Sequence, residues 1–190
     1  TELSMPILSL GGMRFQKSWS ENQLSNITTH EQKKVNNILN IATKYGFDHI
    51  ETARHYGTSE FQLGKGIQSQ GILPRIIQTK IPPYKNPKDF EEELKCSFDR
   101  LGLKKIDLVA IHGINTYEHL NNAIRDGGCL DVLYKWQSNN LIGHIGFSTH
   151  GSLSLIKKAI LSNKFDYINL HWYFINQHNL PAINLARRLD

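Results

Sequence analysis

An α/β fold with a parallel sheet is what the chain predicts, on three observations. Strand-like and helix-like stretches alternate six times along the 190 residues. Several strand stretches are near-continuous apolar runs, Ile106-Asp107-Leu108-Val109-Ala110-Ile111 among them, as expected when both sheet faces are covered. Polar residues gather at the C-terminal ends of the strands, at Glu51, Lys80, His112, Ser148 and Asn169, and that edge is where parallel α/β folds bind ligands.

The elements follow in order. Ile7 to Leu10 is a short apolar strand ending at Gly11-Gly12-Met13-Arg14, where paired glycines let the backbone turn or approach a ligand closely. Thr28 with Glu31, and Thr29 with Gln32, offer overlapping capping boxes for a helix with Val35, Ile38, Leu39, Ala42 and Tyr45 on one face. Gly46 suits the left-handed position past its end. Phe47 to Thr52 reads as the second strand, followed by a loop with Tyr56 and Gly57, and Thr58 or Ser59 can cap the next helix. Phe61, Gly64 and Ile67 mark that helix, whose small residues suit close packing. The third strand is Arg75 to Ile81, stopped by Pro82-Pro83. Asn86 caps a helix with Pro87 at its first position, Phe90, Leu94, Phe98 and Leu101 on one face, and Gly102 at its end. The fourth strand, Ile106 to Ile111, runs into His112-Gly113. A less regular helical region from Leu120 to Trp136 is interrupted at Gly127-Gly128. Ile142 to Phe147 is the fifth strand, Leu155 to Ile160 marks a helix, Phe165 to Leu170 is the sixth strand, and a last helix lies around Ala182 to Leu189.

Composition excludes several function classes. Hydrophobic content of 39% and charged content of 21% are those of an ordinary folded domain rather than a disordered chain. The net charge of +5 is spread without a basic run, so it speaks for a mildly basic surface and against nucleic acid as the partner. No apolar run approaches the roughly 18 residues of a membrane span. Cys96 and Cys129 have no metal-ligand spacing and fit a reducing, cytoplasmic compartment, with Cys96 read as a packed small hydrophobe. No Gly-x-Gly-x-x-Gly fingerprint follows the first strand, which argues against a Rossmann fold.

The strand ends carry the chemistry. A free phenol, with a pKa of about 10, is a poor acid or base at neutral pH. A nearby ammonium favours the phenolate, so Tyr56 with Lys80 is a working pair, and Glu51 on the neighbouring strand end can hold Lys80 in place. His112, one strand further, can hydrogen-bond a substrate oxygen. These groups polarise a carbonyl but carry no redox electrons, so a hydride donor must bind beside them. Thr52, Ser59 and Glu60 read as structural or capping residues, and His49, His55, His144 and His171 have no assigned role.

The ordered motifs resemble the aldo-keto reductase family. Tyr56-Gly57-Thr58-Ser59-Glu60, Gln78-Thr79-Lys80, Asp99-Arg100-Leu101-Gly102 with Ile106-Asp107-Leu108, and Ile145-Gly146-Phe147-Ser148 all look like family segments. Glu51-Thr52-Ala53 stands where the family usually has Asp-Thr-Ala. The resemblance implies a (β/α)8 TIM barrel, of which residues 1–190 would be one partial domain with six units, incomplete at the C-terminus and with open, association-prone edges. It implies Tyr56 as proton donor, Lys80 as its modulator, Glu51 as the anchor of Lys80 and His112 as the group orienting the carbonyl. Cofactor contacts would come from Ser148, Thr149, Asn169, Gly12 and Met13, with Asn169 where many members have Gln. Trp19, Trp172 and Tyr173 would line the pocket.

The implied activity is reduction of an aldehyde or ketone with NADP(H), or with NAD(H) as second candidate, and a small carbonyl compound as the partner. The alternative is a dinucleotide-binding sensor or regulatory subunit of the same fold. A different barrel enzyme, a lyase or isomerase, is disfavoured by the lack of a metal-ligand cluster or phosphate-gripping glycine loop.

Overall fold

The computed structural model describes residues 3–189. Six strands form one sheet in the order β1-β2-β3-β4-β5-β6, every neighbouring pair parallel. The strands are β1 (Leu10–Gly11), β2 (His49–Glu51), β3 (Ile76–Ile81), β4 (Ile106–Ile111), β5 (Ile142–Thr149) and β6 (Tyr167–Leu170). The helices are α1 (Thr29–Lys44), α2 (Ser59–Gln70), α3 (Pro87–Leu101), α4 (Tyr117–Ile124), α5 (Cys129–Ser138), α6 (Leu153–Leu161) and α7 (Leu180–Ala186). A doubly wound sheet reverses its strand order at a switch point. This order never reverses, so the sheet curls one way as a partial (β/α)8 barrel.

Local signals set the helix ends. Thr28 accepts from the backbone N–H of Glu31, and the Glu31 carboxylate accepts from the Thr28 N–H at 2.9 Å, a reciprocal capping box. The box at Thr28 is the one used; Thr29 is already inside α1. Asn86 accepts from the Lys88 N–H at 3.1 Å ahead of Pro87. Thr58 precedes α2 without a side-chain capping bond of its own. The uneven helical region resolves into α4 and α5, with Arg125 to Gly128 between them.

The core lies between the sheet and its helices, with Ile77, Ile81, Phe90, Leu94, Leu101, Val109 and Phe147 almost fully buried. Close approach of α2 to α3 needs a glycine at position 64. A methyl group there would lie 2.8 Å from the Leu101 carbonyl oxygen and closer still to that of Arg100.

Three expectations are corrected. The first strand is only Leu10–Gly11 rather than Ile7 to Leu10; Ile7 is 101% exposed, because β1 pairs with β2 on one side only and no described surface covers the run before it. The α1 stripe is split. Val35, Leu39 and Ala42 pack inward, while Ile38 and Tyr45 are 39% and 71% exposed along the β1 edge. There, Ile38, Ile41 and Tyr45 form an open apolar cleft with Leu10 and Phe47. A second cleft, among Ile160, Phe165, Ile168 and Leu189, lies at the β6 edge. Both edges of the described sheet are therefore apolar and uncovered. Lastly, Cys96 is exposed on α3, and Cys129 is the buried thiol.

Gly64→Ala should destabilise the fold by about 1–3 kcal/mol through overpacking against α3 backbone that cannot yield. Thermal melting should show a drop of several degrees, and an unchanged midpoint would mean that α2 and α3 can separate at little cost.

Candidate active site

Lys80 lies one residue before the end of β3 and is 4% exposed. An ammonium has three protons to donate, and here each has an acceptor. Lys80 Nζ donates to Glu51 Oε2 at the end of β2, to the Thr52 carbonyl oxygen at 2.8 Å, and to the Tyr56 phenol oxygen at 3.3 Å. The expected pairing of Glu51 with Lys80 is thus formed, despite the extra methylene of Glu. Because Tyr56 accepts from Lys80, its own proton is free to point at a ligand.

The loop between β2 and α2 is fixed by its backbone and its small polar side chains. Thr52 N–H donates to Gln78 O at 2.8 Å, Arg54 N–H to Lys80 O at 2.9 Å, and Tyr56 N–H to Ala53 O at 3.0 Å. Thr52 and Ser59 hydroxyls meet at 2.8 Å, and Ser59 donates to Gly12 O at 2.7 Å. Gly57 has φ +53° and packs against the backbone of Ser18 and Trp19, leaving no room for a side chain. Thr52 and Ser59 are structural, as expected. Glu60 sits in the first turn of α2 but is wholly buried, and burial pushes its carboxyl above the usual range against the pull of Thr79, Ser97, Arg54 and Arg100.

His112 follows β4, its N–H bonded to Ile81 O at 2.7 Å. Its ring meets Tyr56 edge-on, with centroids 5.7 Å apart and planes at 88°. Burial pushes its pKa down to about 4, with the positive field of Lys80 next and His55 and His150 adding to it. The ring is therefore neutral at physiological pH and can donate one hydrogen bond.

These four side chains form one wall of a cavity of about 320 Å³, whose other wall is Ser148, Thr149, His150, Ile168, Asn169, Leu170 and His171. Ser148 Oγ accepts from the Gly113 N–H at 3.0 Å, so its own proton remains for a ligand. Asn169 Oδ1 accepts from Gln78 Nε2 at 2.6 Å, which leaves its NH2 group as a donor. Two donors opposite a phenol suit a carboxamide such as that of nicotinamide, and the cavity has room for the ring.

The other expected cofactor residues are placed differently. Thr149 lines the cavity, but its hydroxyl donates to Ile114 O at 2.7 Å and accepts from the Gly151 N–H at 2.9 Å, so it shapes the loop. Gly12 and Met13 lie in a turn past β1 and do not line this cavity. Trp19 borders a separate cleft with His55, Gly57, Tyr84 and Glu93. Trp172 and Tyr173 are half exposed; Trp172 Nε1 donates to Gln177 Oε1 at 2.7 Å and is turned away. His150 and His171 take their place, stacked edge-on with centroids 4.4 Å apart. Strand alternation carries that signal: 146, 148, 150 and 169, 171 share the inward parity of Ser148 and Asn169. Among the described residues no cluster of His, Cys, Asp or Glu could hold a metal ion, and no helix is long and apolar enough to cross a membrane.

A family model described as the aldo/keto reductase family matches residues 7–182. The chain belongs to this family. The family is one of oxidoreductases, and its fold recurs in solved structures. A Pseudomonas aeruginosa protein assigned to the aldo-keto reductases is 21% identical with TM-score 0.80, over 98% of this chain and 71% of that one. An aldo-keto reductase from Bombyx mori, in complex with NADP, is 22% identical with TM-score 0.70, over 97% of this chain and 60% of that one. An aldo-keto reductase from a Medee basin deep-sea metagenome library is 21% identical with TM-score 0.73, over 98% and 62% of the two chains. The chain thus spans between about three fifths and seven tenths of these relatives. No curated protein matches it.

The depressed His112 pKa has a consequence for stability. The folded ring refuses a proton that the unfolded chain, with an ordinary value near 6.5, takes up. Stability contributed by the neutral ring is full above that value and is lost as pH falls toward about 4. Histidine NMR titration should show the His112 ring neutral throughout pH 5–8, and His112→Gln should weaken the acid destabilisation between those two pKa values. A ring that titrates near 6.5 would show it to be more solvated than this geometry allows.

Proposed function

We propose that the chain supplies the carbonyl-reducing centre of an NAD(P)H-dependent aldo-keto reductase acting on an aldehyde or ketone. The observation that carries this is the Lys80 ammonium: it is buried, shared among Glu51, Thr52 O and Tyr56, and leaves the phenol proton free. Ser148 and Asn169 would hold the nicotinamide carboxamide, and the bound dinucleotide supplies the hydride. Tyr56 gives its proton to the carbonyl oxygen as that oxygen gains negative charge. Lys80 stabilises the phenolate left behind, and Glu51 keeps the ammonium from swinging away. Neutral His112 donates to the same oxygen and orients the carbonyl. In alcohol oxidation the proton returns to Tyr56. NADP(H) is the first candidate and NAD(H) the second.

The test is a titration of NADPH and NADH into the protein, read by nicotinamide fluorescence, followed by reduction of a simple aromatic aldehyde. Binding with turnover supports the enzyme. Binding without turnover supports the sensor or regulatory alternative.

Tyr56→Phe should cut carbonyl reduction by about 10²-fold or more, the scale of lost general acid catalysis, with dinucleotide affinity little changed. Near-normal turnover would remove Tyr56 from the role. Glu51→Asp should be tolerated, since either carboxylate can pair with Lys80. Glu51→Gln should shift the pH–rate profile toward alkaline pH, because an unanchored ammonium stabilises the phenolate less. An unmoved profile would separate Glu51 from the proton transfer.

A further inference from the structure

The Tyr56 loop is gripped by charges that the proton transfer does not itself use. Arg54, two residues before Tyr56, is 3% exposed. Its Nε stands 2.6 Å from Glu93 Oε2 on α3, and its Nη1 3.9 Å from Glu60 Oε2 at the start of α2. The other Glu60 oxygen accepts from the Thr79 hydroxyl at 2.6 Å, and Thr79 is the residue before Lys80. Arg100, also on α3, donates to Gly57 O at 3.4 Å on the far side of Tyr56. A line of contacts therefore runs Glu93, Arg54, Glu60, Thr79, from the helix layer to the residue beside Lys80. A helix cap or a loop filler needs no such arrangement. A carboxylate with no solvent exposure is costly unless paired, and burial alone raises its pKa here.

We propose that Arg54, Glu60 and Glu93 form a clamp that sets the distance between Tyr56 and Lys80, acting as positioning residues for proton transfer. The proposal rests on Tyr56 being the proton donor. The geometry makes the distance sensitive. Lys80 to Tyr56 is 3.3 Å, at the long end of a hydrogen bond, and Lys80 is itself fixed by Glu51 and Thr52 O. Among the described residues the adjustable partner is the loop, and of its side-chain tethers Arg54 is the one that reaches carboxylates on both helices, Glu60 on α2 and Glu93 on α3. The charged or titratable groups around the phenol are Glu51 from β2, Lys80 from β3 and His112 past β4, with His150 and His171 lining the same cavity and His55 beside the His112 ring. Arg54 acts on it only through position.

The test uses the whole protein with NADPH and an aromatic aldehyde. Arg54→Met should lower kcat by about 10-fold with KM within about two-fold, since misplacing a reacting group acts on the chemical step. Arg54→Lys should recover part of the loss. Glu93→Gln, at the solvent end of the clamp, should fold as the unmodified protein does and lower kcat by a smaller factor. In each case the alkaline limb of the pH–kcat profile should move, and the 13C resonance of the Tyr56 ring should shift. If Arg54→Met does not fold, Glu93→Gln decides by the same readouts. Variants that lose thermal stability while kcat, pH profile and ring resonance stay unchanged would make the clamp merely structural and overturn the proposal. If Tyr56→Phe retains turnover, the proton-donor reading fails separately. The ring resonance then still decides the clamp, since it reports the Lys80 contact whether or not the protein turns over.

Discussion

Everything at the site depends on burying one ammonium. A lysine taken out of water is stable only if its protons find acceptors, and Lys80 finds three. Those acceptors come from the end of β2, the residue after it, and the loop beyond. The requirement thus fixes how the β2 end, the loop and β3 sit relative to one another. Lys80 is buried while the Glu51 carboxylate is partly exposed, so removing Glu51 would leave a buried ammonium short of one acceptor, and the contact supports the fold as well as the site. The extra methylene of Glu51 does not prevent this, because its carboxylate sits partly solvent-exposed at a strand end, where a longer side chain has room to bend back.

Three of the candidate-site groups stand on the part of the described sheet that is paired on both sides. β2, β3 and β4 each have two strand neighbours, and Glu51, Lys80 and His112 stand at their ends or just past them. A strand fixed on both sides cannot slide without breaking two ladders, so its end is a precise platform. Ser148 and Asn169 stand closer to the open side, at β5 and the edge strand β6. Asn169 is steadied instead by the amide of Gln78, which reaches across the barrel interior.

Much of this was legible in the sequence. Ile106–Ile111 is matched residue for residue, because an apolar run of that length flanked by Gly102 and Gly113 has few alternatives. The Thr28–Glu31 box and the Asn86-Pro87 start needed only local chemistry. The tetrad was legible as strand ends plus a loop, and its pattern resembled a family. The misses share a physical cause: they depend on neighbours the sequence does not name. Ile7, Ile38 and Tyr45 are apolar, yet exposed, because they face a sheet edge rather than a core. Trp172 and Tyr173 are aromatic residues next to a strand end, which suggests a pocket wall, but the chain turns at Leu170 and carries them outward. Glu60 fits the first turn of a helix equally well exposed or buried, and only the packing of α2 on β3 and α3 decides between them.

The burial of Glu60 links the two halves of that account. A charged residue at a helix start is ordinarily solvated, and capping alone would not bring it out of water. Placing it under the loop brings Arg54 in with it, and Arg54 in turn reaches Glu93. The sheet then supports Lys80 from below through backbone pairing, while the helix layer holds Tyr56 from above through buried charge. The proposed proton donation by Tyr56, with Lys80 beside it, would draw on both supports, since neither layer alone fixes the distance between the two side chains. That division lets Tyr56 sit on a loop without the imprecision a loop usually brings.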